Sequence, residues 1–92
     1  MKVSQSLSQN CTILKAIAHP LRLKIVRYLV EHGQSNVTTL IKHTKEPQAN
    51  VSQHLAKLRM ARVVDSDRHR NEILYSVSNK MVIEVVSAIF KK

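Results

Sequence analysis

Ninety-two residues make one small domain, 43% hydrophobic but only 3% aromatic, so Leu, Ile and Val must fill a modest core. Fifteen Lys and Arg against six Asp and Glu give a net charge of +9, which points to a polyanion or an anionic surface as partner; the plainer reading is a soluble basic protein with no specific anion. A single cysteine, Cys11, excludes an intrachain disulfide, no apolar run approaches the roughly 20 residues of a membrane span, and the opening MKVSQSLSQNC holds no apolar signal segment, so the sequence reads as cytoplasmic.

Residues 4–18 place Leu7, Cys11, Leu14 and Ala18 at alternating four- and three-residue steps, a seam suited to a partner helix, with Ile13 and Ile17 as a second apolar edge. A helix apolar on two sides is expected to lie between its own core and another surface. In AHPLRLKIVRYLVEHG, Pro20 suits the first turn of a second helix, Leu21, Ile25, Tyr28 and Leu29 form its expected buried stripe, and Gly33 suits a left-handed cap. In NVTTLIKHTKEP, Thr38 or Thr39 can cap a short helix through Leu40 and Ile41, which must stop before Pro47.

Pro47 or Gln48 opens the next helix, which contains NVSQHLAKLRM. Val51, Leu55 and Leu58 recur at i, i+4 and i+7 and predict one core stripe. The opposite side carries Ala49, Gln53, Lys57 and Met60, flanked by Asn50 and Ser52, with a cation but no acid. A merely solvated face usually mixes signs, so this one suits a negative partner. Two helices joined by a short turn, the second polar and basic outside, make a helix-turn-helix. Gln53 can make a bidentate contact to adenine and Ser52 can bond several base edges or a phosphate; Gln48 and Asn50, near the helix N-terminus, favour phosphate. Lys57, Arg59, Arg62, Lys42 and Lys45 supply sequence-independent attraction, each with a solvated surface charge as its plain alternative. His54 falls beside the Leu55 and Leu58 stripe and reads as a partly buried packing residue.

After Arg62 the period changes to two. Val63 and Val64 are expected to begin a strand, DSDRHRN to form a charged tip, and EILYSV to return with Ile73, Tyr75 and Val77 on one face. Arg68, His69 and Arg70 make the end of this hairpin basic. Asn79 can cap a last helix whose Met81, Val82, Val85, Val86, Ile89 and Phe90 cover more than one face. Excess apolar surface on both terminal helices predicts a symmetric dimer built from Leu7, Cys11, Leu14, Val82, Val85, Val86 and Ile89. The expected fold is mainly α with a β-hairpin wing, a homodimeric winged helix-turn-helix of order α-α-α-α-β-β-α. It is one domain, residues 1–92, with dimerisation segments 1–18 and 79–92, a helix-turn-helix at 38–62 and a wing at 63–78.

LKAIAHPLRLKIVRYL and NVSQHLAKLRMARVV, followed by the hairpin ending in EILYSV, resemble the ArsR/SmtB family of bacterial repressors over residues 14–77, and its small members without metal most of all. The resemblance implies a homodimer held by its first and last helices, a recognition helix in each DNA major groove and wings over the flanking backbone. It places base-reading positions at Ala49, Ser52 and Gln53 and basic wing positions at Arg68 and Arg70. Family members often end the recognition helix with A-G-L-V; here Ala61, Arg62, Val63 and Val64 stand there, and a left-handed Arg62 carries modest strain, so this junction is expected to be built differently. The wing tip lacks glycine and offers Asn71 as its left-handed-tolerant residue.

Many relatives bind metal through a C-x-C pair on the helix before the recognition helix, or through Asp, His and Glu on the last one. Here VTTLIKHT holds no cysteine and NKMVIEVVSAIFKK holds Glu84 alone. The histidines at 19, 32, 43, 54 and 69 never fall at i, i+3 or i, i+4, and Asp65, Asp67 and His69, which could share a strand face, read as a solvated wing. No metal and no cofactor are expected, and Cys11 reads as a small buried hydrophobe because no second cysteine can resolve it. With no Gly-rich phosphate loop, no paired carboxylates and no nucleophile–base pattern, no catalytic residue and no small-molecule substrate are expected. The expected function is a sequence-specific dimeric regulator, a repressor on a palindromic operator in double-stranded DNA. The alternatives are a non-specific architectural DNA binder and a basic module for an acidic protein partner.

Overall fold

Helix boundaries in this chain are set by short-range hydrogen bonds that the sequence supplies. The computed structural model describes residues 5–91; residues 1–4 and 92, the outer ends of the two expected dimerisation segments, lie outside them. The order is α1 (Gln5–Ile17), α2 (Pro20–His32), β1 (Ser35–Asn36), α3 (Val37–Thr44), α4 (Gln48–Met60), β2 (Asp65–His69), β3 (Glu72–Ser76) and α5 (Lys80–Ile89). At the start of α2, His19 Nδ1 accepts from the Leu21 N–H at 3.1 Å, and Pro20 takes the first turn, where no N–H is needed. Gly33, at φ 83°, ends α2 by donating to the Leu29 carbonyl at 2.9 Å.

The cap of α3 is Asn36, not Thr38 or Thr39: its Oδ1 accepts from the Thr39 N–H at 2.9 Å. Asn outranks Thr as a cap, and both threonines are already inside the first turn. Asn36 is also in a strand. β1 pairs antiparallel with β3, Ser35 opposite Tyr75 and Asn36 opposite Leu74, so the sheet has three strands in the order β1-β3-β2 rather than two. A two-residue strand is too short to carry a period, which is why the sequence does not announce it.

Val63 and Val64 do not begin a strand. Both are buried, and their N–H groups donate to the Leu58 carbonyl at 2.9 and 3.4 Å. The Arg62 N–H donates to the Arg59 carbonyl at 3.0 Å with Arg62 left-handed at φ 62°. This is a Schellman closure with arginine in the position that glycine usually takes, so the left-handed cap forms without glycine. The buried Leu58–Val63 pair offsets the backbone strain. DSDRH is β2 itself, paired Asp65↔Ser76 to His69↔Glu72, so the tip shrinks to Arg70 and Asn71. There Arg70, not Asn71, takes positive φ, at 56°. α5 starts as expected, Asn79 Oδ1 accepting from the Val82 N–H at 3.2 Å.

The core gathers Ile25, Val26 and Leu29 of α2, Leu40 of α3, Val51, Leu55 and Leu58 of α4, the Val63–Val64 junction, and Val82 and Val86 of α5; Ile13, Ala16 and Ile17 of α1 close it. Three expectations change. Val26 joins the α2 stripe, while Leu21 and Tyr28 are half-buried at its margin, Tyr28 in ring contact with His32 (4.1 Å) and His43 (4.5 Å). Val82 and Val86 are consumed by the chain's own core and leave the expected dimer face. Cys11 is exposed, because Ile13, Ala16 and Ile17 take the core side of α1. The radius of gyration, 13.4 Å, exceeds the roughly 12 Å of an evenly packed chain of this length. Among the described residues no helix is long and apolar enough to cross a membrane.

Because Leu55 is fully enclosed, Leu55→Ala is expected to cost about 2–5 kcal/mol in denaturant unfolding. Met60→Ala, on the far side of the same helix, should stay within about 0.5 kcal/mol.

Candidate nucleic-acid interface

With Val51, Leu55 and Leu58 at 0% exposure, the rotation of α4 about its axis is fixed. Gln48, Ala49, Asn50, Ser52, Gln53, Ala56, Lys57, Arg59 and Met60 are all exposed, and no acid stands among them. The residues are not equivalent. Ser52 lines a groove between α4 and the wing, with Asn36, Val37, Thr38, Asn71, Glu72, Ile73 and Tyr75. Asn50 lines a groove on the other side, with His19, Lys24, Glu46 and His54. Ala49, Gln53 and Met60 lie between them on the crest, at helical steps of four and seven, with Lys57 one turn beyond Gln53.

The N-terminus of α4 is also distinct. α2, α3 and α5 each start with a side-chain cap, whereas Pro47 gives α4 none. The Pro47 carbonyl accepts the Val51 N–H at 3.1 Å, so the amides of Gln48, Ala49 and Asn50 precede the first intrahelical bond and present the positive end of the helix dipole. The turn before them is made without glycine. Lys45 is left-handed (φ 60°, ψ 26°) and donates to the Ile41 carbonyl at 2.8 Å. The buried Thr44 accepts from the Glu46 N–H through its hydroxyl at 3.3 Å, and Lys24 Nζ reaches the Thr44 carbonyl at 3.5 Å.

His54 is half-buried, as expected of a packing residue, but it also carries polar contacts. Arg22 Nε donates to His54 Nδ1 at 3.0 Å, and Arg22 Nη1 donates to the Ala16 carbonyl of α1 at 3.3 Å. A guanidinium has no acceptor, so His54 Nδ1 must present its lone pair. Burial, then the positive groups of His19, Arg22 and Lys57, hold His54 below the ordinary imidazole range, against the opposing pull of Glu46. The His19 ring lies 4.6 Å from that of His54.

On the wing, Arg68 and Arg70 are exposed, and Arg68 Nε donates to the Arg70 carbonyl at 3.5 Å. Asp65 accepts from the Ser78 hydroxyl and Asp67 pairs with His69 at 3.2 Å, so these three strand residues do not converge. Among the described residues no three His, Cys, Asp or Glu gather as a metal set. The wing is tethered to the helix-turn-helix through Asn36, whose Nδ2 donates to Glu72 Oε1 at 2.7 Å while its Oδ1 caps α3. Of the expected dimer residues, Leu7, Cys11, Leu14 and Ile89 are exposed and Val85 is half-buried.

Asn36, Arg22 and His19 set positions that periodicity does not reveal. Asn36 had a readable signal, an Asn directly before V-T-T-L; the Arg22–His54 pair, 32 residues apart, had none.

The family profile described as bacterial regulatory protein, arsR family, matches residues 19–66, within the stretch that carried the resemblance. The transcriptional repressor PagR of Bacillus anthracis is 43% identical over 84 residues, 91% of this chain and 84% of PagR. Its crystal structure superposes with a TM-score of 0.87, covering 91% of this chain and 95% of that one. The HTH-type transcriptional regulator YgaV of Escherichia coli is 32% identical over 96% of this chain and 89% of its own length. HlyU from Vibrio cholerae, 26% identical, superposes with a TM-score of 0.86 over 98% of this chain and all of that one, 100%.

Asn36→Ala removes a helix cap and the wing tether together. The expected loss is about 1–2 kcal/mol in denaturant unfolding, with faster amide exchange in β3. Asn36→Asp, which keeps the cap oxygen but sets a carboxylate against Glu72, should retain most of the stability and still show the faster exchange in β3.

Proposed function

The chain belongs to the arsR family of bacterial regulatory proteins, and on that premise we propose that it is a homodimeric, sequence-specific transcriptional repressor acting on DNA in the cytoplasm. It is a regulator rather than an enzyme, as are the proteins it resembles. The observation that carries the DNA reading is the crest of α4: exposed, free of acids, and starting from a helix end that no side chain caps.

An α-helix fits the B-DNA major groove. Seated there, Gln53 at the middle of the crest reads adenine through its amide, and Ala49 lets the backbone come close or meets a thymine methyl. Ser52 and Asn50, one on each flank, reach base edges or the sugar–phosphate rim. Gln48 and the first-turn amides hold a phosphate at the positive helix end. Lys57, Arg68 and Arg70 neutralise phosphates, the wing arginines on backbone beyond the groove. Two copies joined through Leu7, Cys11, Leu14, Val85 and Ile89 present two such helices, and a two-fold protein reads a palindromic operator. This repressor needs no metal: α3 has no cysteine, and Glu84 is the one His, Cys, Asp or Glu of α5.

Gln53→Ala is expected to cost about 1–3 kcal/mol at the operator and to relax preference at one base pair, read by titrating single-base operator variants. Unchanged preference would mean that α4 is not the reading element. Arg68→Ala should instead weaken operator and random duplex alike and reduce the slope of log affinity against log salt by about one. A loss confined to the operator would contradict a backbone role for the wing.

A further inference from the structure

We propose that Arg22 and His54 are positioning residues for DNA reading: the guanidinium holds α4 against α2 and α1 only while His54 Nδ1 is unprotonated, so selective DNA binding is lost in mild acid. The inference rests on the repressor reading above.

One side chain joins three helices. Arg22 stands on α2, donates through Nε to His54 on α4 at 3.0 Å, and through Nη1 to the Ala16 carbonyl near the end of α1 at 3.3 Å. α1 is a helix of the proposed dimer contact and α4 is the proposed reading helix. Arg22 therefore helps to set how α4 is held relative to the subunit interface, and through that interface relative to the second α4. His54 directly follows Ser52 and Gln53, so a shift at His54 moves both.

The contact has only one workable protonation state. Arginine stays charged and can only donate. A proton on His54 Nδ1 sets N–H against N–H and cation against cation, and the bond is gone. The groups that face His54 are Arg22 and Lys24 from α2, the capping His19 before it, Glu46 from the turn between α3 and α4, and Lys57 on α4 itself. All but Glu46 are basic side chains. Burial first, then His19, Arg22 and Lys57, moves the titration of His54 below the ordinary histidine range, against the opposing pull of Glu46, so the ring is neutral at neutral pH. For a histidine whose folded value is depressed, the stabilising contribution is complete above the unfolded value and is lost as pH falls through the folded one. The clamp is closed at neutral pH and opens on acidification.

Sequence-independent attraction to any duplex also changes with pH. The informative quantity is therefore the ratio of affinities for two duplexes with equal phosphates. The full chain first selects a duplex from random-sequence DNA at about pH 7.5, and its affinity is compared with that for a scrambled duplex at about pH 7.5 and about pH 5.5. For the unmodified protein the ratio should fall about three- to tenfold in acid, the scale of one lost hydrogen bond. His54→Gln, whose amide oxygen can accept from Arg22 but takes no proton, should keep the ratio at both pH values, and His19→Gln should retain the acid-induced fall. An equal fall in His54→Gln, or no fall in the unmodified protein, overturns the inference and leaves the repressor reading intact. Failure to select any duplex at about pH 7.5 overturns both. The imidazole nitrogen shifts of the DNA-free protein test the clamp separately: Nδ1 of His54 should be an unprotonated acceptor at neutral pH, and a protonated Nδ1 there would remove the premise.

Discussion

Burial of Val51, Leu55 and Leu58 is the constraint from which the candidate interface follows. Each of the three is worth about 1.5–3 kcal/mol when taken out of water, and together they leave α4 one rotational setting. Once that setting is fixed, Gln53, Ala49 and Met60 have nowhere to point but outward, and Asn50 and Ser52 are assigned to opposite grooves. The core side of the helix thus determines which side chains a partner can meet. The same side makes the seat for Val63 and Val64, whose amides close α4 and send the chain into the wing.

Around that helix the fold uses short polar ties where a 92-residue chain cannot provide a deep core. Asn36 caps α3, pairs within the sheet and holds Glu72 of β3, so one residue sets the wing against the helix-turn-helix. Arg27 lies 4.0 Å over the ring of Phe90 and pairs with Glu31 at 2.6 Å, tying α2 to the end of α5. Among the described residues three non-glycine positions, Lys45, Arg62 and Arg70, take positive φ at the ends of α3, α4 and β2. Each accepts a strain of order 1 kcal/mol that neighbouring packing or pairing offsets. All three are basic, so turns of a kind that glycine usually makes here add to the positive charge.

Periodic features were readable in the sequence. The four- and seven-residue spacing in α4, the caps at Gly33 and Asn79, and the order of helices before a hairpin follow from rules that act over one or two turns. Features set by competition or by distance were not. Asn36 competed with two threonines for the same cap, and its pairing with Leu74 depends on a strand 38 residues away. Val63 and Val64 have strand-like side chains but are held by the Leu58 carbonyl, a contact that residue type does not encode. The apolar positions of α5 could not be divided in advance between the chain's own core and another surface; Val82 and Val86 go to the core while Ile89 stays exposed. Spacing along the chain does not pair the histidines, yet tertiary packing brings His19 to His54, and both His32 and His43 to Tyr28.

The central claim is that the crest of α4 reads bases as half of a two-fold pair. Selection of bound duplexes from a random-sequence pool, at near-physiological salt and with the full chain, tests it most directly. The account predicts enrichment of an inverted repeat whose half-sites lie on one face of the duplex, about one helical turn or a multiple of it apart. Binding that enriches no sequence and fades as salt rises would contradict it, and would leave the positive surface as a general anchor for DNA or for an acidic partner.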